Sequence, residues 1–120
     1  MTTEKQDLSE KQKKIAEMET YISNLEQLIN EKRQAENLLH NKDFQDLILK
    51  NYCTRECIRY LQLALCDNLS TEIRDDSLAM AEDTAKVRLF LDNILKFGVI
   101  AERDIKEARE VLAQLESEEE

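Results

Sequence analysis

The sequence predicts an all-α protein: a long N-terminal coiled-coil helix followed by a compact four-helix module. Three observations carry this. The 120 residues include one Gly and no Pro, where average usage is about 7% and 5%. Strand-rich folds turn at such residues, so a sandwich, a barrel or a doubly wound sheet is excluded, and with them a Gly-rich phosphate loop. The apolar residues recur at spacings of three, four and seven, the period of a helix face. The remaining positions are rich in Glu, Lys, Gln, Leu and Ala, all good helix formers.

The first element covers residues 1–40. Leu8, Ile15, Ile22 and Ile29 fall at strict seven-residue spacing, and Met18 and Leu25 follow three residues after Ile15 and Ile22. This is a heptad with Ile at a and Met or Leu at d. Tyr21 and Leu28 widen the seam at g. Lys11 and Lys32 sit at d and Glu36 at a, so the seam weakens at both ends. Thr3 with Gln6, or Ser9 with Gln12, offers a capping box at its start. The stripe Ile15, Met18, Ile22, Leu25 and Ile29 pairs with a second copy or folds back on its own chain. Polar residues at both ends favour a helix that projects and pairs between chains.

Residues 41–116 form the module. Asn41 caps a short helix over 42–50, with Asp43 favourable at its start. Asn51 stands as a left-handed residue behind it. Thr54 then caps a helix to Cys66 that is apolar on most sides and expected to be the most buried. Asp67 to Thr71 reads as a turn, with Ser70 or Thr71 as the next cap. A long helix follows to Phe97, faced by Ile73, Met80, Thr84, Val87, Leu91 and Ile94. Gly98 is placed as its C-cap. A last helix carries Ala101, Ile105, Ala108, Leu112 and Leu115 on one face, and residues 117–120 are a frayed acidic tail.

Charge narrows the function. The net charge is -9. Residues 101–120 carry 3 basic and 8 acidic side chains, so more than half of the excess lies in the last sixth of the chain. Direct binding to a phosphate backbone, which depends on Lys and Arg, is not expected. No apolar run approaches the roughly 18 residues of a membrane span, and residues 1–7 do not form a signal-peptide core. Three cysteines make no even disulfide set, which fits a reducing cytosol.

Chemical motifs are few. Cys53, Cys57 and Cys66 with His40 are the only zinc-type set, but Cys-x3-Cys is not the usual knuckle spacing. They read as buried thiols. His40 is the only available imidazole base and lies at a polar helix end. Glu72 with Asp75 and Asp76, Glu82 with Asp83, and Asp104 with Glu107 lack the paired carboxylate pattern of a helical metal-dependent hydrolase. No catalytic residue, cofactor or metal is assigned.

Residues 38–112 resemble a group of small, mostly uncharacterised proteins of tailed bacteriophages. The likeness begins at Leu39-His40-Asn41-Lys42-Asp43-Phe44 and runs through Leu47-Ile48-Leu49-Lys50-Asn51-Tyr52. Asn51 stands where those proteins carry Gly. Arg59 with the apolar residues behind it, and the closing helix from Ala101 to Leu112, are also similar. The resemblance implies a phage-encoded accessory or assembly protein and carries over no catalytic residue. The expected function is therefore non-catalytic protein–protein interaction, in phage assembly or as a minor virion component. The partners would be a second copy of the chain and a phage or host protein. The place would be the host cytoplasm or the virion. The alternative is an acidic inhibitor of a host nucleic-acid enzyme or defence system.

Overall fold

The computed structural model describes residues 2–119, with side chains described for residues 9–118. The expectations for Leu8, for the Thr3 capping box and for the last two glutamates fall outside those side chains. All regular structure among the described residues is helical. Helix α1 spans Thr2–Leu39. A second segment begins as α2 (Lys42–Phe44), continues as a π-helix over Gln45–Glu56 and ends as α3 (Cys57–Ala64). Helix α4 spans Thr71–Glu119.

The breaks between segments follow from caps. Asn41 Oδ1 accepts from the Phe44 N–H at 2.9 Å, as its position predicts. Ser70 Oγ accepts from the Ile73 N–H at 3.3 Å and opens α4. At the other side of that turn the Arg74 guanidinium donates to the Ala64 carbonyl at 3.0 Å. A cation thereby occupies one of the orphan acceptors that end α3.

The four-helix module is not what forms. Residues 41–116 hold two helical segments, because two expected breaks are absent. Asn51 lies inside the π-helix, and no described residue has a positive φ. Thr54 does not cap: its hydroxyl donates to the Leu49 carbonyl, five residues back, at 2.9 Å. The segment instead runs on through this stretch with the wider π period. It keeps Ile48, Cys53 and Cys57, spaced by five and four, on one half-buried row. The expectation that the helix ending at Cys66 is the most buried also fails. It stops at Ala64 and has no buried residue.

Gly98 is the third correction. It is an interior residue of α4, buried, with ordinary helical backbone. The alternating three-four spacing of Thr84, Val87, Leu91 and Ile94 continues through Gly98 to Ala101, Ile105, Ala108, Leu112 and Leu115. Gly98 is thus a seam position. A Cβ there would overlap Cβ, Cγ and Cδ of Lys32, so the glycine permits a close approach rather than a turn.

The chain divides into two compact units. The end unit comprises Met1–Arg33 and Lys96–Glu120, and the middle unit comprises Gln34–Leu95. In the end unit α1 and α4 run antiparallel. Glu26 pairs with Arg109 at 3.5 Å and Lys32 with Glu102 at 2.7 Å, so partners descend on α4 as they ascend on α1. In the middle unit the π–α3 segment runs antiparallel to the first half of α4. Cys57 Sγ contacts the Ala81 carbonyl at 3.7 Å, and Ala64 is reached from Arg74.

Candidate interaction surface

The predicted stripe on α1 is brought together. Ile22 and Leu25 are 8% and 6% exposed and share a core with Ala101, Ile105 and Ala108. Met18, Leu28, Ile29 and Leu112 pack against that core, and Ile15 is half-buried. Ile22 and Leu25 meet Ile105 with the small Ala101 and Ala108 beside it, which lets the helices close and fill the seam. The seam of residues 15–29 therefore contacts α4 of its own chain. Lys32, at a d position, keeps its place by laying its stem across Gly98 and setting its ammonium on Glu102.

The middle unit is built differently. Its buried residues are Ala35, Ser77, Ala81, Thr84 and Leu91. The two hydroxyls are satisfied locally: Ser77 donates to the Ile73 carbonyl at 2.8 Å and Thr84 to the Ala81 carbonyl at 2.7 Å. Small seam residues let the helices approach, but they bury little apolar area. Large side chains are left on the outside. Leu65 is 77% exposed, Phe90 65% and Leu47 62%, and Ile58, Leu78 and Leu89 are exposed with them. Ile58, Leu61 and Leu65 belong to the helix expected to be the most buried, and the sequence pattern singles out neither Leu89 nor Phe90. The signal available was the run Leu89-Phe90-Leu91, in which a helix can turn only one residue fully inward.

The groups weighed for chemistry lie apart or are tied up. Cys53, Cys57 and Cys66 are free thiols, each half-buried. Burial pushes the Cys53 thiol up, against the opposing pull of the Arg88 charge and backbone N–H. His40 is exposed, with Nδ1 against the Glu36 carbonyl at 2.7 Å. Asp83 pairs with Lys86 at 3.1 Å and Asp104 with Arg103 at 3.1 Å. Among the described residues no three His, Cys, Asp or Glu side chains are placed to hold a metal ion. No described helix is long and apolar enough to cross a membrane. One shallow, solvent-open hollow lies along the π-helix, lined by Asp43, Asp46, Lys50, Asn51 and Arg55, and the Asp46–Lys50 pair spans 3.4 Å within it.

No family model, curated protein or solved structure matches the chain.

Proposed function

We propose that this chain is a non-catalytic protein–protein interaction protein, acting in phage assembly or as a minor virion component. One observation carries the reading. The middle unit leaves Leu47, Leu65, Leu89 and Phe90 more than half exposed while burying a single large apolar side chain, Leu91. Large apolar side chains left uncovered on a strongly charged chain mark association surfaces. The likeness of residues 38–112 to small tailed-phage proteins supplies the setting. The partners are a second copy and a phage or host protein, with no direct nucleic-acid or membrane contact. Self-association through Ile15, Met18, Ile22, Leu25 and Ile29 requires the partner to displace α4 from the core that Met18, Ile22, Leu25 and Ile29 already share with it.

The net charge of -9 favours a second reading, an inhibitor of a host nucleic-acid enzyme or defence system. Affinity capture from phage-infected cells separates the two. The full chain is compared with a variant carrying Leu47→Asp and Phe90→Asp, which alters exposed positions only. A partner held by the wild type at physiological salt and lost from the variant supports apolar docking. A nucleic-acid enzyme that the variant still captures, and that leaves as salt rises, overturns it in favour of the inhibitor.

A further inference from the structure

We infer that the middle unit is half of a four-helix bundle, completed by a second copy of this chain. The inference deepens the interaction reading and rests on it. In the middle unit the seam runs through Cys57 and Ala64 on one segment and Ser77, Ala81 and Thr84 on α4. Each residue turns the helix by about 100°. Because the two segments are antiparallel, side chains one residue beyond the seam on each emerge on the same broad side. Those residues are Ile58 on α3 and Leu65 just past its end, and Leu78, Glu82 and Ala85 on α4. Leu61 and Leu89 fall in the same two rows, three or four residues from their neighbours. This side is therefore made of two largely apolar helical rows, the α4 row interrupted by Glu82.

Area identifies the occupant. The five large residues on this side are 39% to 77% exposed and leave roughly 500 Å² of apolar surface uncovered. A stable interface takes about 800 Å² from each partner. Homodimer interfaces are about 65% apolar, so each copy must supply about 520 Å² of apolar area. Complete cover of the five side chains would supply close to that area. A two-fold axis sets it against itself, so each row is covered by an equivalent row of the other copy. The same pairing provides the core that a 62-residue unit with one buried large apolar side chain lacks.

The test is sedimentation equilibrium of the full chain at physiological salt. The expected mass is twice 14.1 kDa. Leu65→Asp and Leu78→Asp each weaken the dimer at least tenfold. Phe90→Asp, which is off these rows, leaves it intact. As a second readout the thermal midpoint of the wild type rises with protein concentration, because association stabilises the folded unit by mass action. A monomer at every concentration up to hundreds of micromolar overturns the inference. So does a dimer that survives both substitutions yet is lost on Ile22→Asp, which points to the α1 seam. A monomeric wild type that still holds a partner sensitive to Leu47→Asp and Phe90→Asp removes this inference and leaves the interaction reading standing.

Discussion

The two units use the same helical hairpin and fill it in opposite ways. The end unit sets Ile22 and Leu25 against Ala101, Ile105 and Ala108, so its large side chains fill the seam between the helices. The middle unit sets Ser77, Ala81 and Thr84 at the contact and sends Ile58, Leu65 and Leu89 outward. Both contain ample apolar residues. The difference lies in where those residues fall relative to the seam. A hairpin whose large residues are in the seam is internally complete. One whose large residues are beside the seam leaves them uncovered in the single chain.

The comparison breaks most readily at Leu25. Leu25→Ala removes a side chain that is 6% exposed in the end-unit core, and the expected loss is about 2–4 kcal/mol. Leu47→Ala in the middle unit acts on a side chain that is 62% exposed, and the change is expected within about 0.5 kcal/mol. Urea unfolding of both variants measures the contrast. Equal losses would mean that the units do not differ in the way their burial implies.

Gly98→Ala comes next. In an ordinary exposed helix this change stabilises by about 1 kcal/mol. Here the added methyl overlaps the Lys32 stem from Cβ outward. A Cβ cannot swing away as the end of a lysine can, so the helices must separate. The expected outcome is a net loss of about 1–3 kcal/mol. A stabilised variant would show that the end unit is not closely packed at this point.

Gly98 also shows how much the sequence disclosed. Helicity, the length of α1, the Asn41 and Ser70 caps and the stripe from Ile15 to Ile29 were all legible, because each is a local pattern. Glycine's preference for helix ends points to a break at Gly98, and a longer signal outweighs it. The three-four alternation from Thr84 to Leu115 passes through residue 98 without a shift of register. The π-helix was not legible, since its row of Ile48, Cys53 and Cys57 fits neither a regular α nor a β period. The outward side of the middle unit depends on which small residues form the contact, and that is a property of the pair of helices rather than of either one.

The caps give a smaller effect and locate the middle unit's own stability. Ser70→Ala removes the acceptor of the Ile73 N–H, and Asn41→Ala that of Phe44. Each is expected to cost about 1 kcal/mol. Because the middle unit buries few large side chains, local fraying should follow. Amide exchange over residues 71–75 and 42–46 should quicken while exchange near Ile22 and Ile105 stays unchanged. Uniform acceleration in both units would mean that they unfold together.

The smallest expected effect tests burial in the middle unit's contact row. Cys53 is half-buried, and desolvation raises its thiol despite the Arg88 charge that opposes it. Alkylation proceeds through the thiolate. At mildly alkaline pH, Cys53 in the folded chain should therefore react more slowly with iodoacetamide than it does in the urea-unfolded chain, and the gap should narrow as pH rises. The linked stability has the same sign. A thiol whose folded pKa lies above its unfolded value stabilises the fold below the unfolded pKa and ceases to do so as pH rises through the folded one. The loss thus falls in the alkaline range and leaves stability at neutral pH untouched. Peptide mass spectrometry of the alkylated residue reads the rate directly. Equal rates in folded and unfolded chains would place Cys53 in water, and the contact between the π-helix and α4 would then be looser than the Cys57 to Ala81 approach implies.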